Sequence, residues 1–332
     1  MLKKVSFVMS TYNTNEEYIN QSINSVLNQK YNNFELIIVC DGVKEEYDRL
    51  RKIKDKRVKV LFNETNQGLA YSLNKAIQFS TGDYVARMDS DDICTNDRLL
   101  EQVAFMEKNK NIDICGSYAK CFDQANNIWY NFFTKSKELS VELLYKSIFV
   151  HPTVIFRKSF INEKMIKYNV DFRCAQDFEL WSSIINDCEF AIIPRVLLKY
   201  RVHNNQISKE KKELQEKLNG DILHRNCNYF KNGEKEKILS YLYLLSGRAN
   251  INNKNVKELS DGIDYLIGLE SCFDKKIMKK VLYNRFFNLI IKDKVSLKTI
   301  FKIEFLKKII HLYNLKNIIS RIKVLILYKN FE

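Results

Sequence analysis

Along the first two hundred residues, short apolar runs alternate with stretches whose apolar positions recur every three or four residues. Residues 5–10 form a run of strand length. Behind it, Asn13-Thr14-Asn15-Glu16 has capping-box spacing, and Ile19, Ile23, Val26 and Leu27 then fall on one helical face. Residues 34–40, apolar at every position but Glu35, have the pattern of a strand buried on both faces of a parallel sheet. Residues 58–62 read as a third strand. Leu69, Leu73, Ala76 and Ile77 stripe a second helix, and Gly82-Asp83 turns into a fourth strand over residues 84–88. Strand-helix alternation of this kind predicts an α/β fold, a Rossmann-like, mainly parallel central sheet covered by helices.

Beyond residue 205 the pattern changes. Residues 209–219 are charged and helical, and helical spacing continues with turn signals near 252–254 and at Asp293. No clear strand is expected there. The predicted organisation is an α/β domain over residues 1–210 and a helical, basic C-terminal region over 211–332.

Composition narrows the class. The chain has 332 residues, 45% of them apolar, with nine glycines and two prolines, so disordered, collagen-like and linker-dominated readings are excluded. Eight cysteines are scattered with no C-x-x-C pair, which argues against a zinc module or a redox pair. Lys3-Lys4 precede too short an apolar run for a signal peptide, and no stretch of about 18 apolar residues predicts a bilayer span. Reduced thiols in the cytoplasm are the simplest expectation.

The net charge is +14. Half of it lies in residues 291–332, where ten Lys/Arg stand against three acids. Leu297, Phe301, Phe305, Ile309 and Leu312 form an apolar stripe among these cations. A basic amphipathic helix of this kind can lie on an anionic membrane. A helix pair packed on a core, with a solvated basic face, is the alternative. No nucleic-acid motif accompanies the charge, so nucleic acid is not an expected partner.

Three of the strands end in polar clusters: Ser10-Thr11-Tyr12-Asn13, Asp41-Gly42, and Arg87-Met88-Asp89-Ser90-Asp91-Asp92. In open parallel sheets ligands bind beyond the carboxyl ends of the strands, so these clusters should meet at one crevice. Three carboxylates within four residues repel one another unless a cation neutralises them. Oxygen-only donors suit Mg²⁺ or Mn²⁺.

Together with Asn66-Gln67-Gly68, Asn74-Lys75-Ala76, Gly82-Asp83-Tyr84, His151-Pro152-Thr153, Gln176-Asp177 before Leu180-Trp181, and Tyr200-Arg201 with His203 and Ser208, these clusters resemble the family 2 glycosyltransferases of the GT-A fold. The resemblance covers roughly residues 3–208. It is nearest to bacterial enzymes that build capsule, lipopolysaccharide or exopolysaccharide.

The resemblance implies an inverting transfer of a sugar from a nucleotide-sugar, usually UDP-linked, to a hydroxyl of a glycan or lipid-linked acceptor. It implies nucleotide-sugar contacts from Thr11, Tyr12, Asn13, Asp41, Asn66, Gly68, Asn74, Arg87 and Asp89, with Tyr12 stacking on the base and Asp41 accepting from base or ribose. Asp89 and Asp91 would hold a divalent metal, with Asp91 the likelier direct ligand and Asp92 capping or orienting. His203 would be a third ligand or a phosphate donor, and Arg201 would reach the diphosphate. Asp177 takes the place of the family's general base at a helix N-terminus, which favours an ionised carboxylate; Glu179 is a weaker alternative. Cys40 and Gln176 stand where the family commonly has Asp and Glu. His151 is expected to fix a strand entrance near the acceptor, and Leu180, Trp181, Ile184 and Ile185 to be core. The expected location is the cytoplasm, at most peripheral on the inner face of the membrane.

Two other readings stay open on sequence alone. One is a non-catalytic subunit of the same fold that binds a nucleotide-sugar or a partner enzyme. The other is a nucleotidyltransferase using the acidic site, although no Gly-rich basic loop for a triphosphate is present.

Overall fold

The computed structural model describes residues 2–204, 211–293 and 295. The apolar stripe at 297–312, and nearly all of the basic segment 291–332, lie outside the described residues. The chain divides into two compact units, Met1–Ile222 and Leu223–Glu332.

The first unit opens with the alternation read from the sequence: β1 (Val5–Thr11), α1 (Glu16–Leu27), β2 (Phe34–Asp41), α2 (Lys44–Leu50), β3 (Val58–Asn63), α3 (Leu69–Gln78) and β4 (Tyr84–Asp89). After β5 (Ile93–Cys94) come α4 (Arg98–Lys108), β6 (Ile114–Asp123), β7 (Ile128–Trp129) and α5 (Ser136–Glu142). A 3-10 turn at His151–Thr153 leads into β8 (Ile155–Arg157), then α6 (Lys158–Glu163), α7 (Gln176–Ser183), the long β9 (Phe190–Val202) and α8 (Lys212–Asn226).

One sheet runs in the order β3-β2-β1-β4-β8-β6-β9-β5, with β7 paired to β6. β3, β2, β1 and β4 are parallel. β8 is antiparallel to both β4 and β6, whereas β6 and β9 are parallel. The sheet is therefore parallel on one side and mixed on the other.

Burial explains the parallel half. Leu36, Ile37, Ile38 and Val39 of β2 are all fully buried, because helices cover both faces. Each such side chain contributes about 1.5–3 kcal/mol by leaving water. Ile19, Ile23 and Val26 of α1, and Leu73, Ala76 and Ile77 of α3, are the buried stripes that the spacing predicted.

One local expectation is corrected. The cap of α1 is Asn15, whose side chain accepts from the N–H groups of Glu17 and Tyr18. Asn13 is not the cap: it sits two residues earlier in the left-handed region at φ 50°, a conformation Asn tolerates.

The second unit contains α9 (Lys235–Ser246), α10 (Val256–Gly268) and α11 (Lys275–Lys292). It also contains two strands that the pattern did not foretell, β10 (Phe230–Lys231) and β11 (Glu270–Ser271), paired antiparallel. Two residues apiece are too few to leave a periodic signature. The turn expected at 252–254 and the stop at Asp293 are where the sequence placed them. Among the described residues no helix is long and apolar enough to cross a membrane, and no disulfide joins the cysteines.

Candidate active site

Parallel pairing brings the polar strand ends together. Ser10 stands opposite Asp89, and Thr11 opposite Cys40. The loops that follow are tied to one another. Thr14 Oγ1 and Ser90 Oγ lie 2.9 Å apart, and Ser22 Oγ of α1 donates to the Asp89 carbonyl at 2.7 Å.

At the end of β4, ligand oxygens of Asp89, Asp91 and Asp92 all lie within 4.8 Å of one another. Asp92 is the deepest, 1% exposed. Its Oδ1 accepts the Arg201 N–H at 2.8 Å, while its buried Oδ2 has no hydrogen-bond partner among the described residues. Burial, then the charges of Asp89 and Asp91, hold the Asp92 carboxyl well above the usual carboxylate range. Asp89 is also raised, chiefly by desolvation, with Arg87 opposing and Asp91 reinforcing. A buried carboxylate oxygen without a donor, beside two like charges, is the electrostatic signature of a group awaiting a cation. An all-oxygen donor set fits Mg²⁺ or Mn²⁺.

Arg87 supplies a permanent positive charge beneath these groups. It is 2% exposed and ion-paired through Nη1 with Asp89 Oδ2. The guanidinium is enclosed and turned to Asp89. Arg201 is 4% exposed, sandwiched between the rings of Tyr18 and Phe122 at 4.0 and 4.4 Å, and it donates to Asp123 Oδ2 at 2.6 Å and to the Asp91 carbonyl at 2.7 Å. These bonds tie it to the acidic loop.

His203 Nε2 is 3.0 Å from Asp91 Oδ2, and its ring leans on Tyr18. It stands behind Asp91, and the three-carboxylate group does not include it.

The β1 and β2 loops form the neighbouring wall. Tyr12 is 57% exposed, and Asn13 and Asn66 are also exposed. Thr11 is buried and donates to Glu46 Oε1 at 2.6 Å, and the same oxygen accepts the Thr14 N–H at 3.3 Å.

Asp41, expected to contact base or ribose, is engaged within the chain. It is 2% exposed, with Oδ1 accepting from Asn63 Nδ2 at 2.8 Å and the Gln67 N–H at 2.9 Å, and Oδ2 accepting the Gly68 N–H at 2.8 Å. Its carboxylate holds the 66–68 turn. Gly42, at φ 92°, allows that turn to approach: a Cβ there would stand 2.5 Å from the Asn66 nitrogen.

On the opposite wall, Asp177 lies in the first turn of α7, after Ala175 in the left-handed region. Ser147 Oγ donates to its Oδ2 at 3.1 Å. Its carboxyl is nevertheless raised. Burial outweighs the lowering by the Phe178 N–H, Ser147 and Arg87, so the helix terminus does not set the balance as expected. Asp177 in turn bears on Asp89. Glu179 is 6% exposed, and Leu180, Trp181, Ile184 and Ile185 are core as expected.

Asn74 is held to the segment before α7. Its side chain clamps the backbone of Tyr168 with two bonds of 2.8 Å, to the carbonyl and from the N–H. Tyr168 OH pairs with His151 Nε2 at 2.8 Å. Burial, with Arg87 adding to it, keeps His151 well below its usual range and therefore neutral at pH 7. His151 opens the 3-10 turn before β8, the strand entrance expected of it.

Glu46, Ser147 and Tyr168 were not foreseen. Glu46 follows Glu45 in a short charged helix, and nothing in the sequence separates the buried carboxylate from its exposed neighbour. Ser147 and Tyr168 sit in irregular segments whose path no periodicity reveals.

The sequence profile described as Glycosyl transferase family 2 matches residues 6–166. An uncharacterized glycosyltransferase of Methanocaldococcus jannaschii is 37% identical over 219 residues, covering 63% of this chain and 75% of its own. The Escherichia coli UDP-Glc:alpha-D-GlcNAc-diphosphoundecaprenol beta-1,3-glucosyltransferase WfgD is 32% identical over 225 residues, covering 66% of this chain and 85% of its own. Staphylococcus aureus TarS 1–349, solved in complex with UDP-GlcNAc, superposes with a TM-score of 0.59 at 18% identity, over 87% of this chain and 88% of that one. That likeness carries the fold, GT-A. The chain is a glycosyltransferase, and it belongs to family 2.

Proposed function

We propose that the enzyme transfers a sugar, with inversion, from a UDP-linked nucleotide-sugar to a hydroxyl of a glycan or lipid-linked acceptor during bacterial surface-polysaccharide synthesis. The observation that carries the reading is the convergence of the Asp89–Asp91–Asp92 cluster and Asp177 around Arg87 at the carboxyl end of the sheet. The glucosyltransferase WfgD, which by name uses UDP-Glc and a diphosphoundecaprenol acceptor, supports the donor and acceptor classes.

Asp89 and Asp91 would hold a Mn²⁺ or Mg²⁺ ion, with Asp92 completing the donor set. The ion supplies charge stabilisation for the departing nucleoside diphosphate. Tyr12, Asn13 and Asn66 face the nucleotide, with Tyr12 offering its exposed ring to the base. Thr11, Asp41, Gly68 and Glu46 hold the backbone of that wall in place. Asp177 accepts the proton of the acceptor hydroxyl as it attacks the anomeric carbon from the side opposite the leaving group. A carboxylate raised by burial is a stronger base than a solvated one, and Ser147 keeps it oriented. Arg87 favours the ionised form of Asp89 against burial and the charges of its acidic neighbours.

In this reading the catalytic domain is residues 1–210, and the helical region 211–332 sets where the enzyme sits, at the inner face of the cytoplasmic membrane. UDP release measured across UDP-sugars, with and without Mn²⁺, tests the proposal. Turnover that survives chelation would remove the role given to Asp91.

A further inference from the structure

Beyond the catalytic groups, the β6–β7 hairpin and the segment after it expose Trp129, Tyr130 and Phe132, at 41%, 50% and 46%. An exposed indole on a strand of the catalytic unit is a surface a ligand can use. Trp129 is the organised one. It pairs opposite Ala119 on β6, and its ring stacks on Tyr200 at 4.7 Å between centroids and 28° between planes. Tyr200 sits on β9 opposite Cys121 of the same β6 strand. The small side chains of Ala119 and Cys121 leave room for the two large rings to meet across β6. The result is a stiff two-ring plate with one face of Trp129 in water.

The plate is continuous with the acidic cluster. The residue after Tyr200 gives its backbone N–H to Asp92 Oδ1 at 2.8 Å. The charges of Asp89, Asp92 and Asp91 also bear on Tyr200 itself. Trp129 is thus linked to the acidic cluster through Tyr200, on which it stacks.

We propose that Trp129, backed by Tyr200, is the stacking platform for the acceptor, and that its occupant is a pyranose ring of the acceptor glycan. The proposal rests on the glycosyl-transfer reading above and adds the part of the site that reads the acceptor. A pyranose presents a face of C–H bonds carrying partial positive charge, which matches the negative face of an indole. Stacking leaves the ring-edge hydroxyls free, one of them for Asp177. Aromatic rather than aliphatic exposure, joined to the catalytic groups, is what such a ring needs.

The chain has two tryptophans, and Trp181 is fully buried, so emission changes on adding saccharide report Trp129. The probes are methyl glycosides of glucose, galactose and N-acetylglucosamine and their β-linked disaccharides, titrated into the full chain with UDP and Mn²⁺. The expected result is a blue shift and loss of iodide quenching with at least one probe, both absent in Trp129→Ala. In transfer assays with that probe, Trp129→Ala should raise the acceptor KM about tenfold while the UDP-sugar KM does not follow, and Trp129→Phe should recover most of the loss. An unchanged acceptor KM in Trp129→Ala, a parallel rise in both KM values, or protection of Trp129 by anionic vesicles but by no saccharide would overturn the proposal. A wild-type chain that turns over no UDP-sugar would sink the transfer reading and this one together. Turnover with no saccharide effect at Trp129 would sink this one alone.

Discussion

His203 Nε2 reaches Asp91 Oδ2 at 3.0 Å across 112 residues of sequence, joining the end of β9 to the acidic loop after β4. A histidine in that position would orient the carboxylate proposed to hold the metal. His203→Ala should raise the Mn²⁺ concentration for half-maximal activity about tenfold, the usual effect of removing such a neighbour, with turnover at saturating Mn²⁺ largely kept. A metal titration of UDP release measures this, and an unchanged half-saturation point would show that the contact is incidental.

The metal-free acidic cluster should cost stability at neutral pH. The folded-state carboxyl of Asp92 is raised well above its ordinary value. Its contribution is therefore fully present below the unfolded value of about 3.9 and is lost as pH rises through the folded one. Asp92→Asn keeps the acceptor for the Arg201 N–H and removes the charge. The variant should melt about 2–4 °C above wild type at pH 7.5 without metal, as about 1 kcal/mol produces in a chain of this size. That gap should close toward pH 4.5. Mn²⁺ should raise the melting temperature of wild type more than that of the variant. Thermal unfolding at the two pH values, with and without Mn²⁺, checks all three.

Asn74 separates a structural role from a binding one. Asn74→Ala removes both bonds to the Tyr168 backbone. It should destabilise the fold by about 1–3 kcal/mol, because a buried N–H and carbonyl lose their partner. UDP affinity measured by calorimetry should stay near wild type. A large loss of UDP affinity in a variant with unaltered melting would return Asn74 to the nucleotide.

Much of this was legible beforehand where a pattern repeats. The four parallel strands, the stripes of α1 and α3 and the strand-end clusters follow from periodicity and from residues that share one chemistry. What a pattern leaves open is which way a side chain turns. Asp41, Asn74, Arg87 and Arg201 carry polar groups suited to a nucleotide-sugar, yet the fold spends them on Gly68, Tyr168, Asp89 and Asp123. A motif reports the type of a residue at a position. It does not distinguish a carboxylate facing the crevice from one that holds the turn beside it. Glu46 shows the converse: an ordinary helix residue that the β1 loop leans on.

Asp177 should set the acid limb of the transfer reaction. Its carboxyl is raised by burial, and the base works only when ionised, so activity should fall as pH drops at a higher pH than a solvated aspartate near 3.9 would give. Ser147 stabilises the ionised form. Ser147→Ala should therefore move the acid limb of kcat/KM further up, with the alkaline limb unmoved. A pH–rate profile of the two proteins decides it, and an unshifted limb would detach Ser147 from the base.

The most direct test of the central claim compares wild type with Asp177→Asn at saturating Mn²⁺, reading UDP affinity and sugar transfer on the same preparations. The expected result is UDP affinity near wild type with transfer reduced about 10²–10⁴-fold, the contribution of a positioned general base. Transfer by Asp177→Asn at a rate close to wild type would contradict the account.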